Sequence, residues 1–189
     1  MNGSSDIFVH DRKSGATTRV SVDSTGAQAT GGDSSRPALS GNGRFVAFES
    51  VATDLVPGDT NGASDSFVHD RKSGLTSHES VAAPEGQATG GSSSNPALSG
   101  NGRFVAFESD APDLVPDDSN GLSDIFVHDR KSGTTTRVSV DAAGAEASNH
   151  SFVPALSANG RFVAFESGAT NLVPLDTNGR FDVFVRDRK

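Results

Sequence analysis

The chain has 189 residues, 33% hydrophobic and 21% charged, and its 16 Lys and Arg against 24 Asp and Glu leave a formal net charge of −8. That acidity argues against a nucleic-acid partner, which needs basic surface to neutralise phosphate, and no apolar run approaches the ~18 residues of a membrane span. Cys, Tyr and Trp are absent, so there is no disulfide framework or thiolate chemistry, the redox compartment is unreadable, and 12 Phe supply the aromatic bulk.

The opening stretch MNGSSDIF lacks the basic and apolar regions of a signal peptide. Residues 6–11, DIFVHD, predict a strand. A turn over Arg12-Lys13-Ser14-Gly15 and a second, more polar strand over 17–22 follow. The string DIFVHDRKSG is the first of a series. It returns from Asp65 as DSFVHDRKSG, from Asp124 as DIFVHDRKSG and from Asp182 as DVFVRDRK, in steps of 59, 59 and 58 residues. GRFVAFES recurs in step with it, from Gly43, Gly102 and Gly160. Self-similarity at a fixed period is the signature of a repeat architecture. Copies this alike mark either a recent duplication or deliberate construction, and the chain opens and closes in the middle of a unit.

One unit begins at Ser35. Arg36-Pro37-Ala38-Leu39-Ser40 is a short strand opened by Pro, and Gly41-Asn42-Gly43 is a turn able to take positive φ. Residues 44–50, RFVAFES, are apolar on both sides of the pleat, so both faces of their sheet should be covered. A long connection over 51–64 leads to a third strand at 65–70, a turn at 71–74 and a polar outer strand at 75–81. A Gly/Ser-rich lead over 85–94 opens the next unit. Four short antiparallel strands per unit, with no helical periodicity, mean a propeller blade or a repeated sandwich hairpin. The strand with two apolar faces favours the blade.

The string P-x-L-S-x-N-G-R-F-V-A-F-x-S followed by D-x-F-V-x-D resembles the TolB-like β-propeller repeat. Pro37, Ser40, Gly43, Phe48, Ser50, Asp65 and Val68 carry the resemblance, with their counterparts in the other copies. The Pro-Asp usual in that family's turn is Gly41-Asn42, Gly100-Asn101 and Ala158-Asn159 here. The resemblance covers nearly the whole chain and implies an all-β fold of four-stranded antiparallel blades. It leaves function open, because such propellers serve as scaffolds, peptidase accessory domains and partner-binding modules. It also leaves open a periplasmic or secreted parent protein.

The chain is thus expected to be a single propeller fragment over 1–189. A partial blade (1–34) is followed by two blades (35–93 and 94–151) and a second partial blade (152–189), three blades' worth with one surplus third strand. Three blades do not close a ring, and each open flank would expose about 400 Å² of sheet. The expected partner is therefore a second copy of the chain, a homodimer of six blades being favoured over a homotrimer of nine. The fourth strand missing from the last blade would come from residues 17–22 of the neighbour.

One candidate site recurs. Asp59-Thr60-Asn61-Gly62-Ala63-Ser64-Asp65 returns with Asp118, Asn120 and Asp124, and again with Asp176, Asn178 and Asp182. Two carboxylates and an amide oxygen at loop positions 1, 3 and 7 are hard oxygen ligands of the kind Ca²⁺ takes, so Ca²⁺ is the one cofactor considered. The competing reading is a tight turn whose Asp and Asn bond local amides. His10, His69 and His128 share one place in the third strand, where the last copy has Arg186, and are expected to bond their neighbours. His78 and His150 depart from the repeat and are placed at the surface. Arg44, Arg103 and Arg161 are expected to pair with aspartates between blades. No Gly-x-Ser-x-Gly elbow, phosphate loop or asymmetric catalytic set is visible. The leading expectation is a non-enzymatic, self-assembling scaffold or binding module. The alternatives are a calcium-dependent, carbohydrate-binding propeller and an accessory domain of a larger hydrolase.

Overall fold

A computed structural model of the chain describes residues 2–82 and 86–189, and among them there is no helix. Of the lead predicted over 85–94, Glu85 lies outside the described residues. The strands are β1 (Phe8–His10), β2 (Thr17–Arg19), β3 (Ser34–Leu39), β4 (Phe45–Ser50), β5 (Asp65–Asp70) and β6 (Leu75–His78). They continue as β7 (Val81–Ala82), β8 (Gly86–Gln87), β9 (Ser93–Leu98), β10 (Phe104–Ser109), β11 (Asp124–Asp129) and β12 (Thr134–Arg137). The last three are β13 (Ser151–Leu156), β14 (Phe162–Ser167) and β15 (Asp182–Asp187). All pairings are antiparallel and run in chain order. They give sheets β3-β4-β5-β6, β9-β10-β11-β12 and β13-β14-β15, with hairpins β1-β2 and β7-β8.

The sequence FVAFES builds the second strand of each sheet and alternates across it. Val46 and Phe48 face one way and Ala47 the other, and all three are fully buried. Each side therefore meets a different neighbour. Val46, Phe48 and Phe67 form one core with Ile7, Val20 and Ala29 around the β1-β2 hairpin. On the opposite side, Ala47 and Val68 meet Val105, Phe107, Phe126 and Leu114 of the second sheet. Ala106, Ile125 and Val127 on the far side of that sheet meet Val163, Phe165 and Leu172 of the third. The sheets are thus stacked side by side, each core lying between two of them, with β3, β9 and β13 as neighbouring inner strands.

Proline explains a kink common to the inner strands. β3 pairs with β4 at Ser35↔Glu49 and resumes at Ala38↔Ala47, skipping Arg36 and Pro37. Pro37 has no N–H to give the ladder, so the strand bulges there. The residue before each such proline takes positive φ: Arg36 at 51°, Asn95 at 52° and Val153 at 53°. The strain is met by a bond across the seam for two of the three. The Asn95 N–H donates to Glu49 Oε2 (2.9 Å) and the Val153 N–H to Glu108 Oε2 (2.8 Å).

The arginine–aspartate pairs lie within sheets, which corrects the expectation that they join blades. Arg44 grips Asp70 through two bonds of 2.8 and 2.6 Å, Arg103 grips Asp129 likewise, and Arg161 holds Asp187. The cause is register: the first residue of the second strand sits opposite the last residue of the third, as in Phe104↔Asp129, and the preceding arginine reaches over. The Arg103 guanidinium, helped by the Lys131 N–H, holds the Asp129 carboxyl down at about 2. A depressed carboxylate stabilises the fold above its unfolded value of about 3.9, and that contribution is lost as pH falls through the folded value. Carboxyl NMR titration should place Asp129 near 2 in the wild type and return it toward 3.9 in Arg103→Ala. An unchanged titration in the variant would remove the arginine as the cause.

Candidate functional site

The three predicted loops close on themselves. The side-chain oxygen of Asn61 accepts the Ala63 N–H (2.8 Å), that of Asn120 the Leu122 N–H (2.7 Å), and that of Asn178 the Arg180 N–H (2.7 Å). Their amide groups point the other way. Asn120 Nδ2 donates to Asp124 Oδ2 (3.0 Å), Asn178 Nδ2 to Asp182 Oδ2 (2.7 Å), and Asn61 Nδ2 to the Ala88 carbonyl (3.1 Å). The carboxylates, not the asparagine oxygens, are what each loop gathers. Asp54 and Asp113, farther up the same connections, accept the backbone N–H groups of Thr30 and Thr89.

Two of the three carboxylate pairs have drawn in a companion, a different one in each. Asp118, Asp124 and Glu146 bring ligand oxygens within 4.8 Å of one another and are the residues best placed to hold a cation. The Arg137 guanidinium already lies among them, at 3.1, 3.5 and 2.8 Å. Burial pushes the Asp118 and Asp124 carboxyls up, against the pull of Arg137. Asp59 and Asp65 are bridged instead by Gln87 Nε2, at 2.6 and 3.3 Å, and Asp65 also meets His78 at 3.0 Å. Asp176 and Asp182 line an open cleft with Val173, Leu175 and Val185.

A second feature is visible only where one unit breaks the repeat. Arg19-Val20-Ser21 and Arg137-Val138-Ser139 occupy equivalent places, and the first full unit has His78-Glu79-Ser80 there. Val20 and Val138 are core residues. Glu79 puts a carboxylate in the same buried position, at the seam between the first and second sheets. Arg130 of the second sheet meets it at 2.9 Å, the Ser77 hydroxyl donates to the same oxygen (2.5 Å), and His128 Nε2 stands 3.9 Å from the other. Burial pushes the Glu79 carboxyl up, while Arg130 and Ser77 oppose the rise. With Asp59, His78 and Gln87 these groups line a cleft of about 460 Å³.

His78 is therefore not a surface residue. Its ring stacks on Phe67, and its Nε2 lies 2.8 Å from Ser80 Oγ as well as 3.0 Å from Asp65. His150 is likewise engaged, accepting the Ser123 N–H (3.0 Å) and stacking on Phe152. Ser80, His78 and Asp65 are the residue types of a hydrolytic triad, but the geometry is different. A triad uses opposite ring nitrogens for serine and aspartate. Here one nitrogen faces both, and Ser80 donates directly to Asp65 (2.8 Å). The same serine–aspartate bond joins Ser21 to Asp6 and Ser139 to Asp124, so it belongs to the repeat. The repeated histidines bond neighbouring threonines: His10 to Thr17, His69 to Thr76 and His128 to Thr135.

No family model and no curated protein matches the sequence. Solved structures do match the fold. TolB from Acinetobacter baumannii is similar over 96% of this chain and 35% of its own, with TM-score 0.52 and 17% identity. A putative TolB from Agrobacterium tumefaciens is similar over 92% and 50%, with TM-score 0.53 and 17% identity. An oligogalacturonate lyase solved with manganese is similar over 95% and 40%, with TM-score 0.54 and 12% identity. The fold is a TolB-like β-propeller. The chain spans between a third and a half of the length of these structures.

Glu79 and Arg130 form a buried pair whose disruption has a definite sign. Arg130→Ala leaves a buried carboxylate without its counter-charge, which typically costs about 3–5 kcal/mol. The Glu79 carboxyl, already raised, rises further in that variant, so its protonation relieves the loss as pH falls. Urea unfolding should therefore show a larger deficit at pH 8 than at pH 5. A deficit independent of pH would mean that the arginine acts only through packing on Phe45.

Proposed function

We propose that this chain is a non-enzymatic propeller module, a scaffold or binding unit, that completes its ring by joining further copies of itself. One observation carries the reading. Val183 and Val185 on the outer side of the third sheet are 72% and 66% exposed, whereas Ile125 and Val127, their equivalents in the second sheet, are 0% exposed. The face that forms a core between the second and third sheets thus stands in water at the end of the stack, continued by Leu175 and Phe181. A contiguous apolar flank of this kind marks an interaction surface.

A second copy supplies a fitting cover. The β1-β2 hairpin is seated on the first sheet by Ile7, Val20 and Ala29, as the outer half of a blade whose inner strands are lacking. β13 and β14 of a neighbour are inner strands of the same unit. Together they make one composite blade, with the hairpin's β1 giving way to the neighbour's β15, whose Val183 and Val185 then face the first sheet. Two copies then hold six blades and three hold nine, and we favour six. The non-enzymatic reading is supported by the Ser80–His78–Asp65 geometry and by carboxylates neutralised from within by Arg137 and Arg130.

The purified protein should show about twice the 19.4 kDa chain mass by light scattering at micromolar concentration. Val183→Lys with Val185→Lys should yield the single-chain mass with an unchanged circular dichroism spectrum. A wild type that stays at one chain mass would end the self-assembly reading.

A further inference from the structure

The two seams between complete pairs of sheets are assembled from the same three contacts. At the first, the Phe45 ring lies against Gly102, where a Cβ would run into it, and the Arg130 guanidinium stands 4.8 Å from the ring centroid. Glu49 Oε2 accepts the Asn95 N–H (2.9 Å), and the Gly41 N–H donates to the Gly100 carbonyl (2.9 Å). At the second, Phe104 lies against Gly160 with Arg188 at 4.5 Å. Glu108 Oε2 accepts the Val153 N–H (2.8 Å), and the Gly100 N–H donates to the Ala158 carbonyl (2.8 Å). Each seam therefore has a giving side of Phe, Glu and turn N–H. Its receiving side is Gly, Arg, the N–H at the bulge and a turn carbonyl.

The chain carries one unused copy of each side. On the third sheet, Phe162 is 38% exposed, and Glu166 and Ala158 are exposed beside it. On the first sheet the receiving set is intact and uncovered. A Cβ at Gly43 would meet only Arg71 Nη1, at 3.9 Å, whereas Gly102 and Gly160 are closed off by phenylalanine rings. Arg36 holds the same positive φ of 51° as its equivalents. Among the described residues no glutamate accepts its N–H as Glu49 and Glu108 accept those of Asn95 and Val153. Pro37 is exposed where Pro96 and Pro154 are buried.

We propose that these two sides join between copies as a third seam of the same make. Phe162 seats against Gly43 of the second copy beneath its Arg71, Glu166 accepts from the Arg36 N–H, and Ala158 donates to the Gly41 carbonyl. The inference rests on the self-assembly reading and adds to it the atoms of the junction. The partner is a second copy because the unfilled receiving set is complementary, contact for contact, to a giving set on the same chain. Aromatic anchors seated in a pocket are where the binding energy of an interface concentrates.

The absence of Cys makes the junction directly testable. An ideal Cβ on Gly100 falls 3.3 Å from Ala158 Cβ, close to the separation a disulfide needs. The equivalent pair across the third seam is Ala158 with Gly41 of the second copy. The double variant Gly41→Cys, Ala158→Cys should give disulfide-linked dimers on mild oxidation, while Gly100→Cys, Ala158→Cys should cross-link within one chain. Phe162→Ala, which touches an exposed ring, should weaken association about tenfold or more and leave the melting of the dilute chain unchanged. A multimer by mass that neither cross-links through 41 and 158 nor responds to Phe162→Ala would overturn the seam and leave self-assembly standing. A single-chain mass at every concentration would remove both.

Discussion

A β-sheet that is apolar on both sides has no water-facing surface to offer, and the architecture follows from that constraint. FVAFES buries Phe48 toward one neighbour and Ala47 toward another, so no sheet of this kind can end a soluble stack on its own. At one end of this chain the requirement is met in part by the β1-β2 hairpin, through Ile7 and Val20. At the other end it is not met within the chain, where Val183 and Val185 face solvent. The demand for cover, repeated once per unit, is met between the sheets and left open at this flank.

Much of the fold was legible because the repeat isolates it. Strands at 65–70 and 182–187 lie where their DxFVxD patterns predict, and the two-sided apolar strand is central to each sheet. The ends were less legible. The strand expected over 6–11 narrows to Phe8–His10 and that over 17–22 to Thr17–Arg19. Without β4-like partners beside them, these segments have ladder bonds on one side only. The inner strand starts earlier than its proline suggested, at Ser34, because the bulge lets Pro37 stand outside the pairing while Ser34 and Ser35 pair before it.

The candidate site was legible in composition and not in direction. Asn at loop position 3 bonds Asp at position 7 in two of the loops, yet spacing cannot say which end of an asparagine amide faces the carboxylate. Nor can it show that Arg137, in the following strand, enters the same cluster. Glu79 did leave a signal. It is the carboxylate that stands where the other units place Val20 and Val138, and a charge substituted into a core position of a repeat calls for a partner from the adjoining unit. Arg130 answers it. One seam of the stack thereby differs electrostatically from the next while sharing its shape.

The bulge before each proline has a consequence of its own. Its backbone conformation is held by Pro on one side and, at two of the units, by a glutamate from the preceding sheet, while the side chains of Arg36 and Asn95 bond Glu49 (3.1 Å) and Glu108 (2.7 Å) of their own sheets. The three units put Arg36, Asn95 and Val153 at this point with φ between 51° and 53°, and Arg36 reaches across to Asn95 at 2.6 Å. The inner wall of the stack therefore carries a different letter at each line of a fixed ruling. Its character changes from cation to amide to aliphatic along the stack on one backbone conformation.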